Sequence, residues 1–181
     1  MKRIPVLLLS CLLFATASYA ATPEKMAQTY FERLKQRQWT RVAELYDVQA
    51  LKEFRQMMSF LLLVPDDAAP KVLGTFFGAG ATKESIKAMS DKAFFTHFLR
   101  GIMARAEQVG QLDFEKVEVL GSVSEGSSVR HVVTRIKVGI GDMSMENMEI
   151  ISFRKKDGHW GILLQGKIKG MARQIRRALE R

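Results

Sequence analysis

The sequence predicts an α+β fold: a helical N-terminal half packed on a curved four-stranded antiparallel meander, with a short C-terminal helix. Three observations predict it. From Pro23 to Ala106 apolar residues recur at spacings of three and four, the period of helices with one buried face. From Phe114 the period changes to two, the mark of strands with two unlike faces. Beyond Gly166 the helical spacing returns, now among many basic residues. A helical block followed by a strand block, with no alternation of the two, is the layout of an α+β domain.

Residues 1–20 have the layout of a secretory signal peptide. Lys2 and Arg3 make a basic start, an apolar run extends from Ile4 to Phe14, and small residues close on Ser18-Tyr19-Ala20. Cleavage between Ala20 and Ala21 is expected, leaving 21–181 as one α+β domain in the periplasm or outside the cell. The run is shorter than the roughly 20 apolar residues that span a bilayer, which weighs against an uncleaved anchor. Leu8-Leu9-Ser10-Cys11 also resembles a bacterial lipoprotein box, so lipid attachment at Cys11 is the alternative. Against it, Leu12-Leu13-Phe14 stay apolar where a lipoprotein turns polar. Cys11 is the chain's single cysteine. Its removal excludes disulfides, thiolate nucleophiles and cysteine metal ligands from the mature domain.

Thr22, Pro23 and Glu24 form a helix start, and Met26, Ala27, Tyr30, Phe31 and Leu34 follow at helical spacing. A short helix is expected from Thr40 to Tyr46. Another is expected from Ala50 to Leu63, with Leu51, Phe54, Met58, Leu61 and Leu62 on one side. Pro65 and Pro70 end it. A short helix and turn are expected between Lys71 and Ala81. Thr82 caps a helix to Met89, and Ser90 caps a longer one bearing Phe94, Phe95, Phe98, Leu99, Ile102 and Met103. So wide a stripe suits packing against a sheet.

Strands are expected at Phe114–Val123, Ser128–Gly139, Met145–Lys155 and His159–Gln165. Glu125-Gly126, Gly139 to Asp142 and Asp157-Gly158 supply the hairpin turns. Alternation places Val117, Val119, Val123, Val132, Ile136, Val138, Met148, Ile150, Trp160, Ile162 and Leu164 on an apolar face. His131, Val133, Arg135, Glu149, Ile151 and Phe153 fall on a mixed face.

The formal net charge is +9. In an exported protein such a balance points to anionic lipid headgroups or acidic polymers, with no nucleic acid expected; a solvated basic surface is the plainer reading. The terminal helix sets Ile168, Met171, Ile175 and Leu179 against Lys167, Lys169, Arg173, Arg176, Arg177 and Arg181. It can lie on anionic membrane or dock its stripe on its own domain. His97, His131 and His159 are scattered, without the spacing of a metal site, and no metal or cofactor is expected. Ser152-Phe153-Arg154-Lys155 has a Ser-x-x-Lys spacing, but in a strand its ends point to opposite faces. No phosphate-loop or dinucleotide spacing is present.

Ala27-Gln28-Thr29-Tyr30-Phe31 and Trp39-Thr40-Arg41-Val42-Ala43-Glu44-Leu45-Tyr46 resemble the opening helix pair of nuclear-transport-factor-two-like domains. Phe153 to Ile162 resembles their final hairpin. The resemblance implies a cone of helices against a curved sheet with a pocket inside. Within that superfamily, Tyr30 sits where ketosteroid isomerases keep an oxyanion-stabilising tyrosine. The position of their aspartate base falls at Phe54, which cannot take a proton. The order of elements also resembles periplasmic phospholipid-binding proteins of the toluene-tolerance type, which implies a cavity for acyl chains.

The leading expectation is a non-enzymatic exported protein binding an apolar or amphipathic ligand between helices and sheet. Tyr30, Met58, Leu62, Phe94, Phe98, His131, Arg135, Glu149, Phe153 and Trp160 are its candidate lining. Arg135 and Glu149 are expected to face the same way on adjacent strands, as a headgroup clamp or a plain ion pair. Two alternatives stand beside it. One is an isomerase- or dehydratase-like enzyme using Tyr30 with Asp47 or His131. The other is a protein-interaction or dimerisation module, whose sign is an exposed apolar sheet face.

Overall fold

A computed structural model describes residues 21–110, 112–141 and 143–179. The expected signal peptide, with Cys11 and Ala20, lies outside the described residues. The order is α1 (Pro23–Lys35), α2 (Trp39–Ala43), α3 (Val48–Met57), a 3-10 helix (Ser59–Leu63), α4 (Ala69–Phe77), α5 (Lys83–Lys87) and α6 (Asp91–Val109). There follow β1 (Leu112–Glu125), β2 (Val129–Ile140), β3 (Met143–Lys156), β4 (His159–Ile162) and α7 (Gly166–Leu179). The four strands form one antiparallel sheet in sequence order. The fold is α+β, as the change of period predicts.

The helix starts follow from capping chemistry. The Thr22 hydroxyl accepts from the Lys25 amide at 3.3 Å, the Ser90 hydroxyl from Ala93 at 3.2 Å, and Thr82 and Ser85 form a reciprocal capping box. Helix α3 starts earlier and stops sooner than its sequence suggests. Asp47 caps it, accepting from Gln49 at 2.8 Å and Ala50 at 3.2 Å. It gives way to the 3-10 helix after Met57. Phe60-Leu61-Leu62-Leu63 is the reason: four consecutive apolar residues cannot share one face of an α-helix, and Pro65 forces Val64 into extended geometry. Leu61 is buried, Phe60 and Leu62 are half-buried, and Leu63 is left 82% exposed.

The core is aromatic. Phe54 of α3 meets Phe94, Phe95 and Phe98 of α6 with ring centroids 6.0, 5.0 and 5.1 Å apart, all in edge-to-face contacts. Phe77 and Phe76 of α4 pack on the same α6 stripe, Phe76 stacked on Phe98 at 5.4 Å. Full burial of each such side chain contributes about 1.5–3 kcal/mol. Helices α4 and α6 cross closely at Gly101, where any Cβ would overlap the Phe76 carbonyl.

The sheet corrects the sequence-based faces. Strands β2 and β3 pair without interruption, and Val132 lies opposite Ile151, Thr134 opposite Glu149 and Ile136 opposite Asn147. Glu149, Ile151 and Phe153 therefore face the helices, beside Val132 and Ile136. Met148 and Ile150 face outward with Arg135, Val133 and His131, the reverse of the expected assignment. Ile150-Ile151 is apolar in both phases, so alternation alone cannot decide. Helix cover decides it: Ile151 and Phe153 are fully buried, while Met148 and Ile150 are 68% and 60% exposed. Strand β1 carries two bulges, between Phe114 and Lys116 and between Val119 and Gly121. The second turns Val123 to the outer face opposite His131, away from Val117 and Val119.

Strand β4 ends at Ile162, three residues before its expected end. Its outer edge is covered by the α2–α3 connection: the Asp47 amide donates to the Ile162 carbonyl at 3.0 Å, and the Ile162 amide to Leu45 at 2.8 Å. Gly161 makes this approach possible, since a Cβ there would lie 2.8 Å from the Asp47 Cα. The Asp157-Gly158 turn has positive φ at both residues, 50° and 80°, the geometry the dipeptide favours.

Candidate functional site

Met58, Phe94, Phe98 and Phe153 lie in the core, at most 2% exposed. Phe94 and Phe98 pack against the rings of Phe54 and Phe77 in the space where the sequence placed a ligand. Leu62 is half-buried against that core. Trp160 is half-buried on β4 with the Lys155 ammonium 5.9 Å from its ring centroid. It lines a shallow cleft with Tyr46, Asp47, Val48 and His159.

Polar side chains converge at one place on the inner face. Tyr30 of α1 lies against Tyr46, their ring centroids 6.3 Å apart. Burial raises the Tyr46 phenol well above its ordinary pKa, and Tyr30 and the Glu149 charge add to the effect. Burial also raises Tyr30, again with Glu149 adding to it and a hydrogen bond from Tyr46 opposing. Both are neutral donors at pH 7. Glu149 is ion-paired with Lys167 of α7, and its carbonyl accepts from the Thr134 hydroxyl at 3.2 Å. Sequence reasoning singled out Tyr30 and Glu149 but missed Tyr46 and the tie to Lys167. The signal for Lys167, a cation just after the last strand, looks the same as for its solvated neighbours.

The expected Arg135–Glu149 pair does not form, because the two lie on opposite faces of the sheet. Arg135 instead bridges outer-face carboxylates, Glu118 at 3.4 Å and Glu146 at 3.5 Å. His131 is also on the outer face. Its Nδ1 lies 2.8 Å from the Ser152 hydroxyl and its Nε2 2.7 Å from a Glu125 carboxylate oxygen. The sheet separates His131 from Tyr30, and the Asp47 carboxylate is held at the start of α3. Tyr30 therefore does not converge with His131. Among the described residues, no group of three His, Cys, Asp or Glu side chains is placed to hold a metal ion.

A second concave place lies on the helical side. Helix α7 docks Ile168, Met171 and Ile175 on the core and buries Ala172. Its last turns stand off from the 3-10 helix and α4, leaving a groove of about 390 Å³ lined by Phe60, Leu63, Val64, Pro65, Ala68, Val72, Arg176 and Leu179. The Arg176 guanidinium sits 4.9 Å from the Phe60 ring centroid. Lys169, Arg173 and Arg177 are exposed on the same helix. Residues 166–179 include no acidic side chain. The sequence signal for this groove was the unburiable Leu63 at the end of an apolar run.

No protein-family model matches the chain, and no curated protein matches it. Two solved structures overlap it. One is a SEC-C motif-containing protein from Rhodopseudomonas palustris, at 15% identity over 78% of this chain and 75% of that one, with a TM-score of 0.43. The other, from Campylobacter jejuni, is described as an NTF2-like transpeptidase. It is 14% identical over 80% of this chain and all of that one, with a TM-score of 0.35. Likenesses of this degree carry no argument about family or activity.

Proposed function

We propose that this protein is a non-catalytic binder of anionic amphipathic molecules at the cell envelope. The apolar part lies in the groove beneath α7 and the anionic head meets the α7 arginines. The observation that carries the reading is the groove itself: apolar walls from Phe60, Val64, Val72 and Leu179, with Arg176 at the rim. Its volume lies within the range of about 300–1,000 Å³ common to small-molecule sites. Arg173 and Arg177 add charge of the sign an anionic headgroup selects. The signal-peptide reading of residues 1–20 supports an envelope location. The resemblance of the opening helices and last hairpin to nuclear-transport-factor-two-like domains, and of the layout to periplasmic phospholipid-binding proteins, supports a carrier. The proposed ligand site is the groove and not the interior, where aromatic rings fill the space.

Sedimentation with lipid vesicles tests it. The protein is expected to bind phosphatidylglycerol vesicles and leave phosphatidylcholine vesicles in solution, with binding that falls steeply as salt rises. Arg176→Glu reverses one charge at the rim and is expected to weaken binding about thirtyfold, at about 1 kcal/mol for each of the two units of charge changed near an anionic surface. Leu63→Asp is expected to do the same without loss of fold, because Leu63 is 82% exposed. Equal binding to both vesicle types, or variants that bind as the parent does, would sink the proposal.

The interaction-module reading has its own support in the outward-facing Val123, Met148 and Ile150, exposed by 60% or more.

A further inference from the structure

The cleft beside Trp160 has walls that the fold fixes in place. The amides of Asp47 and Ile162 bind the α2–α3 connection to the edge of β4, and Gly161 lets the two backbones touch. The cleft opens along this seam, between the start of α3 and the β3–β4 turn, with a volume of about 360 Å³. That lies within the span of about 300–1,000 Å³ common to small-molecule sites. Trp160 and Val48 supply apolar surface, and Val48 is 80% exposed. An indole half-buried beside an exposed valine leaves a flat apolar face open to a ligand.

The polar lining is rich in acceptors. Asp47 is only 9% exposed. Its Oδ1 accepts from the Gln49 and Ala50 amides, and its Oδ2 has no hydrogen bond among the described residues. That oxygen is left for water or a ligand in the cleft that Asp47 lines. His159 donates from Nδ1 to the Asp157 carbonyl at 2.8 Å, so Nε2 of the neutral imidazole is an acceptor. Gln49 adds an amide that both donates and accepts. Charge narrows the choice further. The carboxylates of Glu44, Asp47 and Asp157 weigh against an anion. Against a cation stand ammonium groups already in place: Lys156 in the lining, Lys92 at 3.9 Å from Glu44, and Lys155 at 5.9 Å from the Trp160 ring centroid. A hydrocarbon would leave the polar groups without partners.

We propose that this cleft binds a neutral pyranose sugar, with its C–H face on the Trp160 indole and its hydroxyls on Asp47, Gln49 and His159. A sugar ring brings what the lining lacks: no charge, one flat apolar face and a rim of hydroxyl donors. The bond from a hydroxyl to the Asp47 carboxylate is charge-assisted and the strongest of the set. Fixed walls keep the ordering cost of binding low. The cleft is shallow and covers one face of the ring, so a dissociation constant on the order of 1 mM is expected, the weak end of the affinity scale. This site is separate from the groove beneath α7, and its ligand carries no charge for the α7 arginines.

Two uncharged probes, maltotriose and tri-N-acetylchitotriose, test this. They are titrated into the Trp39→Phe variant, in which Trp160 is the remaining tryptophan. At least one is expected to shift the Trp160 emission and to saturate. The shift is expected to persist in about 0.5 M salt, where attraction to an anionic surface is screened. Saturation-transfer NMR follows the other variants. Trp160→Ala is expected to abolish the transfer signal. Asp47→Asn keeps a good helix cap and is expected to weaken binding about tenfold with the circular dichroism of the parent. Absence of binding by both sugars at about 20 mM, well above the expected dissociation constant, overturns the proposal. So does a Trp160→Ala protein that binds as the parent does, or adenosine bound as tightly as the sugars, the mark of plain aromatic stacking. If Trp160→Ala fails to fold, Asp47→Asn decides alone.

Discussion

Arg55 shows how one side chain can hold a junction that its own helix does not reveal. From α3 it donates to the carbonyls of Ile86 at 3.3 Å and Lys87 at 2.8 Å, and to that of Met89. It also lies 3.6 Å from the Asp91 carboxylate and 5.4 Å from the Phe94 ring centroid. The end of α5 and the start of α6 are thus tied to α3 by a single guanidinium. Arg55→Ala is expected to destabilise by about 1.5–3 kcal/mol, the range for hydrogen bonds to a charged group. Arg55→Lys is expected to recover less than half of that, because a compact ammonium cannot match a planar fork across several carbonyls. Denaturant midpoints followed by circular dichroism measure both. A lysine variant as stable as the parent would show that charge alone matters here.

At the scale of elements, two glycines on facing helices have opposite meanings. Gly101 of α6 touches the α4 backbone at Phe76, whereas an added Cβ at Gly74 of α4 meets nothing within 4 Å. Gly101→Ala is expected to destabilise by about 1–3 kcal/mol through overpacking. Gly74→Ala is expected to stabilise by about 0.5–1 kcal/mol through the lower helix cost of alanine. Thermal melts of the pair check the signs. The sequence alone cannot tell these glycines apart, since both sit in amphipathic helical patterns. Elsewhere local chemistry was readable. Thr22, Thr82 and Ser90 start helices and Asp157-Gly158 turns a hairpin, because each works through neighbours in the chain. What escaped was non-local: the second β1 bulge, which reverses Val123, and the phase of β3, settled by the helices packed over its inner face. The candidate site failed for the same reason. Arg135 and Glu149 alternate as expected, each on its own strand, but only pairing register decides whether they meet.

For the molecule as a whole, the helical and strand halves are expected to unfold together, since α1 and α2 border the same core as β1 and β2. The chain has two tryptophans, Trp39 in α2 and Trp160 in β4. Trp39→Phe and Trp160→Phe leave one reporter in each half. Each variant is expected to give a fluorescence midpoint that coincides with its circular-dichroism midpoint, as a single cooperative transition requires. Separated midpoints would mean two independent units. The bridge between Tyr46 and Ile162 bears on how such a chain is made. It joins residues more than a hundred positions apart, so the ribosome must release nearly the whole polypeptide before the α2–α3 connection can pair with β4. Closing so long a loop is slow relative to local helix formation.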